Sequence, residues 1–237
     1  MKDDLGDRMK FNYENRTRYY LPRRTNTIIR IDGKAFHTFT RNLKKPFDNV
    51  LIDAMNYATI KLCENIQGSV LGYTQSDEIS ILLQDYKKIT TDAWFDGNIQ
   101  KITSISASMC TAYFNDFFKS KIDTDKWGIF DSRAFVIPDI IEVENYFIFR
   151  QKDCVRNSIS MVAQSLYSHK ELNKKSQRDI QEMIFQKGEN WNDEHSWVKR
   201  GRFIIKDNNG WNIQSKTIDI LKNREEFSKL IRSQEEE

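Results

Sequence analysis

The chain has 237 residues, of which 39% are hydrophobic and 12% aromatic, enough apolar material for one large folded body. Lys and Arg number 37 against 34 Asp and Glu, a balance too mild to require or to exclude nucleic acid as a partner. Three scattered cysteines without a CxxC pair argue against a disulfide framework, and no apolar run suggests a membrane span or a signal peptide, so we expect a soluble cytoplasmic protein.

The part of the chain up to Pro138 predicts alternating strands and helices. Apolar residues recur with helical spacing in two stretches and cluster as short strands in the others. The predicted elements are an N-terminal arm or short helix over 1–24, a strand at Thr27–Asp32, a helix at Asp48–Asn65, a hairpin at Ser69–Gln84, a helix at Asn98–Phe118 and a strand at Ser132–Ile137. This order is the split βαβ arrangement, so we predict an α+β fold with a ferredoxin-like βαββαβ core in residues 1–138.

Residues 139–237 predict a C-terminal extension of helices and small strands that belongs to the same compact body. Its predicted elements are a long helix at Asp139–Leu166, a polar helix at Asn173–Lys187, a Trp-rich segment over 190–202, strands at Arg202–Lys206 and Trp211–Ile218, and a frayed tail at Arg224–Glu237.

Carboxylates follow apolar runs at two places, Asp32 after Ile28–Ile31 and Asp77 at the tip of the hairpin. An unpaired buried charge costs several kcal/mol, so packing alone rarely places Asp there. If the strands pair side by side, the two carboxylates converge. Together with the Gly33 carbonyl they offer the hard oxygen ligands that Mg²⁺ prefers, and two such ions suit phosphoryl transfer. The alternative is that both Asp residues cap turns.

At these residues the chain resembles the tRNA-histidine guanylyltransferase family, and most closely its guanylyltransferase-like branch. The matching stretches are Leu5–Lys10, Ile29–His37, Lys45-Pro46 and Gly72–Glu78, with weaker matches at Phe130–Arg133 and at Arg150–Cys154 with Asn157. The resemblance implies a polymerase palm core and a homotetramer. It also implies activation of a 5′-monophosphate by ATP or GTP, followed by 3′-to-5′ nucleotide addition to tRNA.

One departure from the family pattern concerns the choice of RNA. In the eukaryotic enzymes His-Ile-Asn follows the Asp-Cys pair, whereas Asp153-Cys154 here precedes Val155, Arg156 and Asn157. The like-branch shares this loss and favours template-dependent repair of 5′-truncated tRNA, which is therefore the predicted function.

The residues next to the acids are candidates for chemistry and for nucleotide binding. The catalytic candidates are Asp32, Asp77, Glu78, Lys45 and His37. The nucleotide-binding candidates are Arg30, Gly33, Lys34, Ala35, Phe36, His37, Lys45, Ser76, Asp77 and Asn157. Structural alternatives remain open: Glu78 and Arg30 can serve as ion-pair partners, Ser76 as a turn residue, His37 as a side chain packed beside Phe36, and Lys45 as a solvated lysine.

Six basic residues are candidates for holding RNA, because cations suit phosphates and nearby aromatic planes suit unstacked bases. They are Arg133, Arg150, Lys187, Lys199, Arg200 and Arg202. Trp191 and Trp197 lie among the last of them, and a loop anchored by Trp is the alternative.

Two further functions fit the same residues. A nucleotide cyclase uses two metal-binding Asp residues on a ferredoxin-like core and needs no RNA. An RNA-binding relative without catalysis would not need Asp32 and Asp77 intact. The chain contains neither GxGxxG nor GxxxxGK[ST], so Rossmann and Walker-type nucleotide sites are excluded.

Overall fold

The computed structural model describes residues 4–236; the first three residues of the predicted N-terminal arm, and Glu237 of the predicted tail, lie outside them. The helices are α1 (Leu5–Asn12), α2 (Phe36–Phe39), α3 (Asn49–Asn65), α4 (Ile99–Lys121), α5 (Ile140–Leu166), α6 (His169–Leu172), α7 (Gln177–Gln186), α8 (Ser196–Arg200) and α9 (Arg224–Glu236). The strands are β1 (Asn26–Gly33), β2 (Ser69–Gln75), β3 (Glu78–Gln84), β4 (Phe130–Ile137), β5 (Arg202–Asp207) and β6 (Gly210–Ile213). Over 4–236, no helix combines the length and the hydropathy needed to cross a membrane.

The long helices begin where the sequence predicts, because a polar side chain caps each N-terminus. Asp48 Oδ1 accepts a hydrogen bond from the Leu51 N–H at 3.0 Å, and Asn98 Oδ1 accepts one from the Lys101 N–H at 3.0 Å. Asp139 caps α5 in the same way. Such caps satisfy backbone donors that have no partner inside the helix.

One six-stranded sheet in the order β4-β1-β3-β2-β5-β6 forms the centre of the protein. Every strand pair in it is antiparallel. The predicted order of strand, helix, hairpin, helix and strand is confirmed in β1, α3, β2–β3, α4 and β4. Strands β5 and β6 come from the C-terminal extension and lengthen the same sheet beside β2.

The two faces of the sheet are covered by different helices. Successive residues of a strand point to opposite faces, so Ile29 and Ile31 pack with α3 and α4, whereas Ile28 packs with α5 and α9. Arg30 and Asp32 alternate with Ile29 and Ile31 and therefore lie on the α5 side. Their position brings two charged side chains under a buried helix.

Two predicted elements of the extension are shorter than expected. The polar helix predicted over 173–187 is wrong at its start: α6 ends at Leu172, and α7 begins after Ser176, which caps it. Lys174 between them has a positive φ of 62°, which a continuous helix does not allow. The strand predicted to run to Ile218 ends at Ile213.

The frayed tail predicted from Arg224 is wrong as well, because the segment forms α9. Phe227 and Ile231 lie four residues apart on one face of this helix and are 0% and 1% exposed. The Phe227 ring packs against Phe147 and Phe203, with ring centroids 5.5 and 5.1 Å apart. Burial of this face against the sheet holds the helix in place.

Candidate active site

The two predicted acids lie next to each other at one end of the sheet. Asp32 is directly opposite Glu78 in the β1–β3 ladder, and Asp77 belongs to the turn between β2 and β3. The Gly33 N–H donates to the Asp77 carbonyl oxygen at 3.1 Å, which joins the end of β1 to that turn. The predicted convergence of Asp32 and Asp77 thus follows from the pairing of β1 with β3.

The environment of Asp77 disfavours a lone negative charge there. Burial raises the pKa of the Asp77 carboxyl, and the nearby Asp32 carboxylate raises it further. The Ser76 hydroxyl donates to Asp77 Oδ1 at 3.0 Å and only partly offsets these effects. A cation between the two acids would stabilise the ionised form of Asp77.

The turn and the segment after β1 border a cleft of about 470 Å³, which falls in the usual range for small-molecule sites. Seven of the predicted site residues line it: Gly33, Ala35, Phe36, His37, Lys45, Ser76 and Asp77. His37 and Lys45 are exposed, so neither is held away from the cleft by packing. The cleft therefore combines an acid, a lysine and an imidazole around one space.

Three of the predicted nucleotide-binding residues lie outside this cleft. Asn157 of α5 borders a smaller cavity of about 40 Å³ that also touches Ser76. Lys34 is exposed and does not line either cavity. Arg30 lies on the α5 side of β1, where its Nη2 contacts Glu78 Oε2 at 2.6 Å and Asp32 Oδ2 at 3.3 Å.

The backbone around the cleft adopts two unusual conformations. Ala35 and Ser76 have φ values of 54° and 48°, in the left-handed region that residues with a Cβ rarely occupy. Gly33 has a packing role: a Cβ there would lie 2.3 Å from the Phe36 ring. Phe36 in turn packs against Phe130 with ring centroids 4.9 Å apart, which fixes the floor of the cleft.

Glu78 forms a buried ion network and does not face the cleft. Its side chain is 5% exposed, and its Oε2 pairs with Arg30 at 2.6 Å and with Arg150 of α5 at 2.8 Å. Burial raises the pKa of the Glu78 carboxyl, and the two guanidinium groups oppose that shift. Among the open alternatives for Glu78 and Arg30, these contacts match the ion-pair role.

Sequence reasoning missed the partner of Asp32 on the other neighbouring strand. Asp131 of β4 is directly opposite Asp32, and Arg133 is opposite Arg30. Arg133 Nη2 lies 3.6 Å from Asp131 Oδ1 and 3.9 Å from Asp32 Oδ2. The strand register creates this row of acids beside a row of arginines. The weaker family match at Phe130–Arg133 marks the β4 segment, but it does not show how that segment pairs with β1.

Other missed residues border the cleft from two sides. Asp48, whose carboxylate caps α3, and Lys44 come from the segment after α2, while Met161 and Gln164 come from α5. The cap at Asp48 is visible in the sequence, but the contribution of α5 depends on long-range packing.

Two of the six predicted RNA contacts are buried, and two more are partly exposed but already have partners within the fold. Arg150 and Arg202 are only 3% and 7% exposed, so neither guanidinium lies on the open protein surface. Lys199 donates to a backbone carbonyl at 2.5 Å, and Arg200 pairs with a carboxylate at 2.9 Å. Trp191 is 9% exposed and donates through Nε1 to a buried hydroxyl, as expected for a loop anchored by Trp.

Arg133 and Lys187 remain accessible. The Arg133 side chain is 55% exposed beside Asp32, and Lys187 is exposed at the end of α7. Arg133 is therefore the predicted RNA contact that lies close to the acids.

The donor set fits a divalent cation with oxygen ligands. Asp32 and Asp77 supply two carboxylates, and carbonyl, water or phosphate oxygens commonly complete the shell of Mg²⁺. Within the described residues, no group of three or more His, Cys, Asp or Glu side chains is assembled for a metal. A cation on Asp32 would compete for Oδ2 with Arg30 and Arg133.

Comparison with known proteins gives matches to one family. A sequence profile of tRNAHis guanylyltransferase (Thg1) matches residues 6–138. The tRNA(His) guanylyltransferase of Debaryomyces hansenii is 29% identical over 201 residues, which is 77% of this chain and 74% of that protein. A solved structure of a bacterial Thg1-like protein in complex with ATP has a TM-score of 0.90 and 47% identity, and covers 96% of this chain and 99% of that chain. A second, in complex with GTP, has a TM-score of 0.83 and 44% identity, and covers 97% and 99%.

Proposed function

This chain belongs to the tRNAHis guanylyltransferase (Thg1) family of nucleotidyltransferases, and we propose that it repairs 5′-truncated tRNA by template-dependent nucleotide addition in the 3′-to-5′ direction. In this proposal the 5′-monophosphate end first attacks the α-phosphate of ATP or GTP, and pyrophosphate leaves. The 3′-hydroxyl of an incoming nucleoside triphosphate then attacks the activated 5′-phosphate, and AMP or GMP leaves. The β1–α3–β2–β3–α4–β4 core serves as the palm that holds the reacting groups.

The observation that carries the proposal is the acidic pair beside the cleft. Asp77 lines a space of about 470 Å³ together with Lys45 and His37, and Asp32 pairs in the β1–β3 ladder with Glu78, the residue after Asp77. Acids alone would repel a triphosphate, so a cation must accompany it, and the raised pKa of Asp77 agrees with that need. The solved relatives in complex with ATP and with GTP support nucleotide binding by this chain.

Asp32, Asp77 and the Gly33 carbonyl are the proposed holders of two Mg²⁺ ions. Such ions polarise the reacting phosphate and neutralise the charge of the triphosphate. Lys45 is proposed to bind a terminal phosphate, with His37 at the same side of the cleft. The Ser76 hydroxyl donates to Asp77 Oδ1 and is proposed to hold that carboxylate in place. These residues act by binding and orienting, and no covalent link to the enzyme is needed.

Arg133 is proposed to hold the 5′ end of the RNA. Its guanidinium is exposed and only 3.9 Å from Asp32 Oδ2, so a phosphate bound there would lie beside the acidic pair. Arg suits this role because its planar group can bind a phosphate through two hydrogen bonds. Lys187 is proposed as a more distant phosphate contact.

The proposed RNA is a 5′-truncated tRNA with a 5′-monophosphate. Support comes from the like-branch character of the sequence, including Val155 and Arg156 after Cys154. Extension of such an RNA would proceed against the opposing 3′ strand as template.

The activation step provides a sharp experiment. A 5′-monophosphorylated tRNA that lacks its first nucleotide is incubated with Mg²⁺ and ATP labelled at the α-phosphate, and label transfer to the RNA is measured before and after each nucleoside triphosphate is added. Wild type is expected to transfer label and then to extend the RNA with release of labelled AMP. Asp77→Ala should do neither, whereas Asp125→Ala, an exposed Asp outside the cleft, should behave as wild type.

Three results would contradict the proposal. Full activity of Asp77→Ala would remove the acidic pair from the mechanism. A cyclic nucleotide formed from free triphosphate without RNA would instead favour the cyclase. RNA binding without label transfer or extension would favour a non-catalytic relative.

A homotetramer is the proposed assembly, and the N-terminal helix supports it. Helix α1 buries none of its residues, and Leu5 and Phe11 are 62% and 71% exposed. Apolar side chains gathered on one element often mark a protein contact. Light scattering measures the molar mass in solution of wild type and of a variant that carries both Leu5→Glu and Phe11→Glu. The mass of the variant should be lower than the tetramer value; an unchanged mass would exclude α1 from the contact.

A further inference from the structure

A second cavity, the Arg202 pocket, lies farther along α3, between that helix, β5 and the segment after β6. Its volume is about 370 Å³, and it shares no lining residue with the acidic cleft. The side chains that matter here are those of Asp53, Asn56, Trp197, Lys216 and Arg202. The proposed reaction uses none of them.

The guanidinium of Arg202 is buried without a partner for all of its donors. The residue is 7% exposed, and Nε donates to Asn56 Oδ1 at 2.8 Å. Nη2 is buried and has no hydrogen-bond partner among the described residues. Burial lowers the pKa of Arg202, and Cys154, Tyr73 and Asp53 oppose this shift without forming a hydrogen bond to the guanidinium. A charged group is thus held in a fixed position with a donor left over.

A bound water molecule cannot compensate the buried charge of Arg202. Arg202 also borders the cavity of about 40 Å³ next to Ser76, which has room for a water molecule. A water could accept a hydrogen bond from Nη2, but it brings no negative charge. Uncompensated burial of an ion costs several kcal/mol, whereas an oxyanion would both accept the bond and balance the charge. Arg is the side chain best suited to phosphate and carboxylate oxygens.

The rest of the pocket indicates which chemical groups of a ligand accompany the oxyanion. Trp197 is half-buried, so part of its indole remains open to a flat ring. Lys216 at the rim has a side chain that is 76% exposed and pairs with Glu226 at 3.1 Å, a surface contact that a ligand phosphate could replace. Asp53 can accept a hydrogen bond from a sugar hydroxyl or a ring amine. The volume lies within the range of small-ligand sites.

We propose that the Arg202 pocket binds a nucleoside monophosphate, with its phosphate on Arg202 and its base against Trp197. The ligand is either a free mononucleotide or a terminal nucleotide of an RNA strand, because both present the same phosphate and base. This site requires neither the acidic pair nor a divalent cation. It stands or falls independently of the proposed tRNA repair.

Hydrogen–deuterium exchange of the full chain locates such binding. The protein is studied in EDTA, with AMP as one probe and a short RNA with a terminal phosphate as the other. Slower exchange is expected at residues 196–203 and 213–217 and not at residues 33–48. Protection by AMP identifies a free nucleotide as a ligand, and protection by the RNA alone identifies a chain end; each supports the site.

Variants separate this site from the acidic cleft. Arg202→Met keeps the length of the side chain and removes the charge, and is expected to weaken binding at least about tenfold, or 1.4 kcal/mol. Ser215→Trp narrows the mouth from an exposed position and should weaken binding without loss of the fold, as checked by thermal unfolding. Asp77→Asn should bind as wild type. Any of four results would overturn the proposal. They are protection confined to residues 33–48, loss of protection in Asp77→Asn, unchanged binding in both pocket variants, and no protection by either probe.

Discussion

Replacement of Glu78 by Gln tests whether this residue holds the fold together or takes part in the chemistry. The substitution keeps the shape of the side chain and removes its charge. Glu78 Oε2 is the shared acceptor for Arg30 at 2.6 Å and Arg150 at 2.8 Å, with the carboxylate only 5% exposed. The variant leaves two guanidinium groups beside a neutral amide, and one of them is almost fully buried.

The expected loss can be worked out from these contacts. Removal of one partner from a buried ion pair typically costs about 3–5 kcal/mol. Arg150 keeps Asp153 at 3.7 Å and Arg30 keeps Asp32 at 3.3 Å, so the lower end applies and we expect a loss of about 3 kcal/mol. For a chain of this size that loss corresponds to a Tm lower by about 6–12 °C.

Urea denaturation and thermal unfolding measure the change. Glu64→Gln is the matched control, because Glu64 pairs with Lys61 at 2.7 Å on the surface with a side chain 36% exposed. Exposed pairs contribute about 0–1 kcal/mol, so this control should unfold close to wild type. If Glu78→Gln is as stable as Glu64→Gln but inactive, the structural role is refuted and a direct role in the reaction takes its place.

Three further predictions concern the cleft itself. Asp77→Asn should raise the free energy of unfolding of the metal-free protein at neutral pH, because burial raises the pKa of Asp77 and disfavours its ionised form. Wild type should regain stability relative to the variant as the pH falls through that raised pKa. A variant that is less stable than wild type in urea at pH 7 would contradict this prediction. Gly33→Ala should cost about 1–3 kcal/mol in urea unfolding, since the new Cβ would lie 2.3 Å from the Phe36 ring; an unchanged midpoint would show that the ring can move. Lys45→Gln should weaken ATP binding in titration calorimetry by about tenfold or more, the effect of one lost hydrogen bond from a charged group. Lys34→Gln, at an exposed position outside the cleft, should not weaken it. Equal losses in the two variants would show that ATP responds to the overall positive charge and not to a contact in the cleft.

The sequence was sufficient where local patterns determine structure. The apolar runs before Asp32 and Asp77 have strand periodicity, and the hairpin turn at Ser76 follows from two adjoining strands, so their pairing and the meeting of the acids were predictable. The caps at Asp48 and Asn98 mark the starts of two helices, and each capping hydrogen bond joins residues only three positions apart. Such signals need no knowledge of distant contacts.

The remaining features depend on contacts between distant parts of the chain. The ion pair between Glu78 and Arg150 joins residues 72 positions apart, and only the packing of α5 on the sheet creates it. In the sequence Arg202 follows Lys199 and Arg200, and this pattern predicts a cation at the surface. The pairing of β5 with β2 instead places Arg202 in the protein interior. Charge in the sequence alone could not distinguish an arginine for RNA from one fixed in the core.

Template-dependent addition is tested by two truncated tRNAs that differ only in the nucleotide opposite the missing 5′ position, C in one and A in the other. Each RNA is given ATP, Mg²⁺ and a single nucleoside triphosphate at a time, and the added nucleotide is identified on a sequencing gel. The proposed function predicts that the added nucleotide changes from G to U when the opposing C is replaced by A. Addition of the same nucleotide to both RNAs, or of none to either, would contradict it.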